Sequence, residues 1–311
     1  MLRGAGQLAK LPRTLRVLRT ACLLGLGLTV ARPAHAGSRA ECQAAPSAIL
    51  GRQVGYCAIL PPSYDADKTR RFPVLYFLHG LSEDEQILIT SGGMTLIEDL
   101  WQSGQLGEFI IVTPAAGSSF YINSFSGRVR YEDFLIQEFF PFIEKRYRVR
   151  PGREGRGISG VSMGGYGALR LAFRHPALFN AVSAHSAALV EDLPAAITDD
   201  PLLLRALRGA FGSPPNAAFW DRNTPFVFAR TANLAGLKIY FDCGADDELG
   251  FAAGTRALDK LLTSRHIQHE EHIYPGGHSW DYFAAHIAAS LEFHSRAFGL
   301  TTQSNQPAAP R

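Results

Sequence analysis

Three kinds of residue in this chain have the types and order needed for acyl chemistry: a serine between glycines, a later group of acids, and a still later histidine on a glycine-rich turn. The serine is Ser162, in Gly160-Val161-Ser162-Met163-Gly164. A serine hydroxyl is a poor nucleophile, so it has to stand exposed at a strand end where a base can take its proton. The turn that exposes it is strained, and glycines two residues to either side remove side chains that would collide. An apolar run, Ile158 to Val161, enters the motif, and a helix-forming run, Tyr166 to His175, leaves it and stops at Pro176. That context is a strand, a sharp turn and a helix whose first amides point at the serine. The N–H of Met163 is thereby placed to stabilise an oxyanion.

A base has to reach Ser162, and an acid has to fix the base's tautomer and stabilise its cation. In one known arrangement the chain order is serine, acid, histidine, which sends both partners downstream of residue 162 and onto loops at strand ends. His175 closes the helix after the serine, His185 falls at a strand end too early in that order, and His286 and His294 lie inside the last helix. His278 alone sits on a glycine-rich loop, Pro275-Gly276-Gly277-His278, and is the expected base. For the acid, the loop after Cys243 offers Asp246, Asp247 and Glu248, with Asp242 still inside the strand. Loop position alone does not separate Asp246 from Asp247. The second oxyanion donor of such a site comes from a loop leaving a neighbouring strand. The apolar run Phe72 to Leu78 ends in His79-Gly80-Leu81, so the N–H of Leu81 is the candidate and His79 is expected to hold the turn by hydrogen bonds. His266, His269 and His272 invite a metal reading, but their spacing in a strand sends His269 to the opposite face from the other two. The cysteine spacings match no metal site either, and no cofactor is expected.

Elements able to position these residues follow from periodicity. Val54 to Leu60, Phe72 to Leu78, Glu108 to Pro114, Ile158 to Val161, Ala181 to His185, Leu237 to Cys243 and His269 to Tyr274 read as strands. The unbroken apolar character of the second is that of a strand covered on both faces. Glu85 to Gln102 (interrupted near Gly92-Gly93), Tyr131 to Tyr147 (kinked or restarted at Pro141), Phe251 to Arg265 and Ser279 to Phe298 read as helices. Strands alternating with helices imply an α/β fold, a mostly parallel central sheet with helices on both faces. The loop Ala115 to Arg130 follows a parallel strand and is expected to carry substrate contacts, Tyr121 among them. Ala187 to Ala235 reads as a long irregular insertion with one helical run, Leu202 to Phe211, and is expected to cap the site with Phe219 and Trp220 forming an apolar acyl wall.

The ends of the chain differ from its middle. Residues 1–36 hold six basic residues and no acidic one, an apolar core from Ala21 to Ala31 too short to span a bilayer, and the small-x-small site Ala34-His35-Ala36. They read as a secretory signal, so the product is expected to be secreted or periplasmic, without stable membrane insertion after cleavage. Cleavage after Ala36 leaves 25 basic residues against 28 acidic ones and turns the net charge from +3 to −3. The chain's pI of about 8.7 therefore makes no case for nucleic-acid binding. About 275 residues remain, enough for one large α/β domain over residues 37–300. Residues 301–311 read as a disordered tail. An oxidising compartment permits a bridge between Cys42 and Cys57, and Cys243, at the end of an apolar run, reads as a buried small hydrophobe.

The sequence resembles the esterase D-like family of α/β-hydrolases, which includes S-formylglutathione hydrolases, feruloyl and acetyl-xylan-type esterases and secreted mycolyltransferases. The resemblance runs from about Gly51 to Phe298. It rests on His79-Gly80-Leu81, on Tyr131-Glu132-Asp133-Phe134 with Pro141 and Glu144, on Gly160 to Gly165, on Asp242-Cys243-Gly244-Ala245-Asp246-Asp247, and on Gly276-Gly277-His278-Ser279-Trp280. It implies Asp247 as the acid, three residues beyond Gly244, and supports Leu81 as the second oxyanion amide. It places Trp280 near an acyl pocket, a position that packing at the start of the last helix would explain equally. The function it implies is a serine carboxylesterase acting on a small-molecule or carbohydrate-linked ester. Acyl transfer to a sugar or other alcohol, and a non-catalytic carbohydrate-binding role, are the competing classes.

Overall fold

The computed structural model describes residues 37–191, 193, 201–300 and 302. The expected signal segment, and the expected tail apart from Thr302, lie outside them. The strands are β1 (Arg39–Ser47), β2 (Arg52–Leu60), β3 (Val74–Leu78), β4 (Ile110–Pro114), β5 (Arg156–Gly160), β6 (Ala181–His185), β7 (Lys238–Gly244) and β8 (Glu270–Tyr274). They form one eight-stranded sheet in the order β1-β2-β4-β3-β5-β6-β7-β8. β1 and β2 pair antiparallel, as do β2 and β4, and the pairings from β4 to β8 are parallel.

The helices are α1 (Ile87–Thr90), α2 (Gly93–Gln102), α3 (Tyr131–Phe134), α4 (Phe140–Arg146), α5 (Met163–Arg174), α6 (Pro201–Phe211), α7 (Ala217–Asp221), α8 (Pro225–Thr231), α9 (Phe251–Ser264) and α10 (Trp280–Ala297). They cover both faces of the sheet, and β3 shows why its sequence is apolar throughout. Val74, Tyr76 and Leu78 enter the core packed by α5 and α9, whereas Leu75 and Phe77 enter the core packed by α2 and α10. Successive side chains of a strand point to opposite faces, so only an unbroken apolar run satisfies both. Burying each such side chain contributes about 1.5–3 kcal/mol.

Two expectations are corrected. β1 was not expected: its Ala-rich, Pro46-bearing sequence has little strand propensity, and an edge strand tolerates that because one side of its ladder stays unpaired. It is held along its whole length by β2 and by the Cys42–Cys57 disulfide, whose cysteines face each other in register. A bridge closing a loop of that size stabilises by about 3 kcal/mol in the chain-entropy account. The run from Tyr131 to Tyr147 restarts at Pro141 as expected, in the first turn of α4, and a π-helical turn, Leu135–Phe139, comes just before the restart. Among its described residues the insertion after β6 is more regular than expected, since α7 and α8 follow the expected helical run, which is α6. The Asn216 side chain caps α7 by accepting from Phe219 N–H, and Thr224 caps α8 ahead of Pro225. A Thr-Pro pair at a helix start is a sequence signal for that element.

A buried polar network fastens this insertion to the sheet layer. Arg170 of α5 donates to Glu132 of α3 at 2.9 Å and to the Asn223 side chain, between α7 and α8, at 2.6 Å. Burial pushes the Glu132 carboxyl up, but the His175 hydrogen bond and the charges of Arg170 and Arg174 outweigh it and hold it at about 2.

Candidate active site

Parallel strands put their C-terminal ends along one edge of the sheet. The loops after β3, β5, β7 and β8 bring Leu81, Ser162, Asp247 and His278 to that edge. Ser162 sits between β5 and α5 with φ 53° and ψ −118°, a conformation that L-residues rarely hold without support. Support comes from Ser162 N–H donating to the His185 carbonyl at 2.9 Å and from the Ser162 carbonyl accepting the amides of Tyr166 and Ala188. The flanking glycines are required by closeness of backbone. A Cβ at Gly160 would lie 2.4 Å from the Gly164 carbonyl oxygen, and one at Gly164 would lie 2.0 Å from the Leu78 carbonyl oxygen.

His278 reaches the serine from the turn after β8. Its Nε2 is 2.9 Å from Ser162 Oγ, and its Nδ1 is 2.9 Å from Asp247 Oδ2. A carboxylate only accepts, so Nδ1 carries the proton and Nε2 is left to accept the serine hydroxyl. Burial works against the Asp247 carboxylate, but the hydrogen bond and charge of His278, with the Leu249 amide, bring its carboxyl below the ordinary range. Asp246 beside it is exposed and takes no part in this chain of hydrogen bonds. Glu248, weighed from sequence only as an alternative acid, accepts the His278 backbone N–H at 2.9 Å and so fixes the turn that carries the base. Phe251 and Phe283 flank the imidazole edge-on.

Among the described residues, neither the Met163 nor the Leu81 amide donates to a protein acceptor. The loop of Leu81 comes close to the serine, since a Cβ at Gly80 would lie 3.5 Å from Ser162 Cβ. His79 aims it. The Ala116 N–H donates to His79 Nε2 at 2.9 Å, which puts the ring proton on Nδ1, and Nδ1 donates to the Gly80 carbonyl at 2.7 Å. The Gly80 carbonyl and Leu81 N–H belong to one trans planar peptide and point opposite ways, so fixing one directs the other. Burial lowers the His79 pKa, which keeps the ring in the neutral form this arrangement needs.

Of the three expected substrate contacts, Tyr121 and Trp220 are enclosed and Trp280 is partly buried. Tyr121 is 0% exposed and its hydroxyl donates to the His79 carbonyl at 2.9 Å, so it braces the loop from inside. Trp280 donates through Nε1 to the Ser91 carbonyl at 2.8 Å and packs on Phe283, which ties the start of α10 to the α1–α2 junction. Trp220 is 1% exposed, with its ring 4.7 Å from that of Phe211 and 6.0 Å from that of Tyr166. It is the interior of the insertion rather than its inner wall, because a ring enclosed on all sides has no face left for an acyl chain. Trp220→Ala is therefore expected to lower unfolding free energy by about 3–5 kcal/mol, the range for emptying a buried aromatic site, as read from urea melts. A change in acyl preference with an unaltered midpoint would contradict that placement.

Two other features resemble sites and are distinguished by access and position. His185 lies 2.8 Å from both Asp242 Oδ2 and Ser290 Oγ, the same three residue types in contact, but each is at most 1% exposed and no substrate reaches them. A cleft of about 790 Å³ opens at the opposite edge of the sheet, near the starts of β7 and β8. Its Lys238 and Arg265 are engaged with carbonyls at the ends of α10 and α8, and its Arg296 pairs with Glu270, so its cations serve the fold.

Comparison with known proteins gives the family and the fold. Residues 47–294 match the family model Esterase, described as "Putative esterase". An esterase of Mycobacterium tuberculosis is 28% identical over 251 residues, covering 75% of this chain and 54% of its own length. The chain thus spans about half the length of that relative. An acetyl esterase of Caldicellulosiruptor saccharolyticus is 27% identical over 262 residues, covering 80% of this chain and 96% of its own. A solved ferulic acid esterase superposes with a TM-score of 0.74 at 30% identity, covering 85% of this chain and 99% of its own.

Proposed function

Because the chain belongs to the Esterase family and has the α/β-hydrolase fold of its structural neighbours, we propose that it is a serine carboxylesterase working through an acyl-enzyme. The observation that carries this is the hydrogen-bonded run Asp247, His278, Ser162, with 2.9 Å at each step. His278 Nε2 takes the hydroxyl proton as Ser162 Oγ attacks the ester carbonyl. The carbonyl oxygen becomes an oxyanion between the Leu81 and Met163 amides, whose N–H groups have no other acceptor to give up. Collapse breaks the bond to the alcohol, His278 protonates the leaving oxygen, and the acyl group stays on Ser162. A water then gives its proton to His278 and attacks the acyl carbon. The second collapse frees the acid and returns the proton to Ser162.

The proposed compartment is periplasmic or extracellular. Supporting it are the basic, then apolar, then small-residue pattern of residues 1–36 and the Cys42–Cys57 bridge, which an oxidising environment maintains. Among the described residues no helix is long and apolar enough to cross a membrane. The proposed substrates are acetyl or feruloyl esters, since the chain is similar to an acetyl esterase and to a ferulic acid esterase. The insertion of residues 187–235 is proposed to shape the acyl side through residues nearer its surface, such as Phe219, which packs on the exposed ring of Phe125.

A panel of acetyl, butyryl, long-chain and feruloyl esters, assayed with and without added sugar or glycerol, tests this reading. Free acid as the main product is the expected result. A new ester on the added alcohol would reassign the protein as an acyltransferase. No turnover of any ester, together with no labelling by a fluorophosphonate, would overturn the catalytic reading.

A further inference from the structure

We infer that Glu83 is a positioning residue that locks the oxyanion loop by binding the Gly80 amide, an inference that rests on the esterase reading above. The loop has to turn back on itself to make this contact. Ser82, between Leu81 and Glu83, has φ 71°, a left-handed conformation unfavourable for a residue other than glycine. The reversal returns the Glu83 side chain over Gly80, whose N–H donates to Glu83 Oε2 at 2.6 Å. A Cβ at Gly80 would lie 3.1 Å from that carboxylate oxygen and 3.5 Å from Ser162 Cβ, so the carboxylate and the nucleophile both stand close against the same glycine.

Gly80 is thereby held at both of its polar groups: its N–H by Glu83 and its carbonyl by His79. Two side chains thus define both peptide planes that meet at Gly80, and the second of these planes carries the Leu81 N–H. Glycine is the residue with most backbone freedom, so an unclamped Gly80 would let that donor swing. Oxyanion stabilisation depends on donors already oriented before charge develops. Retention of Glu83 has a further cost that needs a reason. Burial raises its pKa, the Gly80 N–H works against that, and among the described residues no lysine or arginine pairs with it. A desolvated carboxylate without a basic side-chain partner is unfavourable unless its hydrogen bond does something for the fold or the site.

Reach and charge can be separated by two conservative variants, measured on the purified protein with p-nitrophenyl acetate. Glu83→Gln keeps an oxygen at the same reach and loses the charge; Glu83→Asp keeps the charge and is one methylene too short. Glu83→Ala and Glu83→Asp are expected to lower kcat by about 10- to 100-fold with KM within about twofold, somewhat less than deleting an oxyanion donor outright. Glu83→Gln is expected to restore kcat to within about threefold of wild type. The inference is overturned if Asp is active and Gln is not, if Ala matches wild type, or if the loss falls in KM. Should Ala melt early, the Gln and Asp pair decides alone, since a contribution through charge or folding would not rank them by reach. Failure of the esterase reading would look different: the wild-type protein itself would show no hydrolysis dependent on Ser162.

Discussion

Ser162→Ala is expected to abolish ester hydrolysis, with kcat falling by about 10⁴ to 10⁶, while the protein stays folded. The size follows from the mechanism, since without Oγ no acyl-enzyme forms and only binding and the oxyanion amides remain to help water attack. Retention of the fold follows from where the elbow is supported. Its contacts are made by the Ser162 backbone, through the His185 carbonyl and the Tyr166 and Ala188 amides, and alanine keeps all of them. His278→Ala should cause a loss of similar size, and the double variant should lose little more, because the two residues act as one unit. The measurements are initial rates on the best ester of the panel, a thermal melt, and fluorophosphonate labelling, which should vanish with Ser162. Activity above a few per cent of wild type, after excluding contamination, would place the nucleophile elsewhere.

Asp247→Asn is expected to lower kcat by about 10⁴, the effect of a wrong tautomer in a related triad, whereas Asp246→Asn should stay close to wild type. The carboxylate of Asp247 is only an acceptor and therefore holds the imidazole proton on Nδ1. An amide in the same place can donate to Nδ1 instead, which moves the proton to Nε2 and removes the lone pair that the serine hydroxyl needs. Asp247 is held for this role, with Oδ2 on His278, where the Cys243 thiol also donates at 3.5 Å, and Oδ1 on the Leu249 amide. Asp246 is exposed, and only its backbone is engaged, with the Gly276 carbonyl. Comparable small losses from the two variants would move the acid to another residue, with Glu248 the next to test.

Local patterns carried much of this protein in readable form. An unbroken apolar run reports a strand covered twice, as at Val74–Leu78, and glycines at fixed offsets report a backbone too close to itself for a Cβ, as at Gly160 and Gly164. The order serine, acid, histidine with each on a loop was legible for the same reason, since parallel strands deliver their following loops to one edge. Edge strand β1 was not legible because its stability lies in pairing and a disulfide rather than in its own residues. Of the insertion's helices α6 was legible as the run Leu202 to Phe211, whereas α7 and α8 were overlooked, although Asn216 and the Thr224-Pro225 pair announce them.

By itself the sequence determined the alternation of strands and helices, the elbow around Ser162 and the loops on which its partners would be found. Loop position left two adjacent aspartates open, and the family resemblance pointed to Asp247, the one that meets the imidazole; tertiary structure alone decided that Tyr121 and Trp220 are enclosed rather than open to a substrate, and that Glu83 returns to bind Gly80. The division has a physical cause. Periodicity and backbone strain are properties of neighbouring residues, whereas exposure and the aim of a side chain depend on what residues far along the chain place around it.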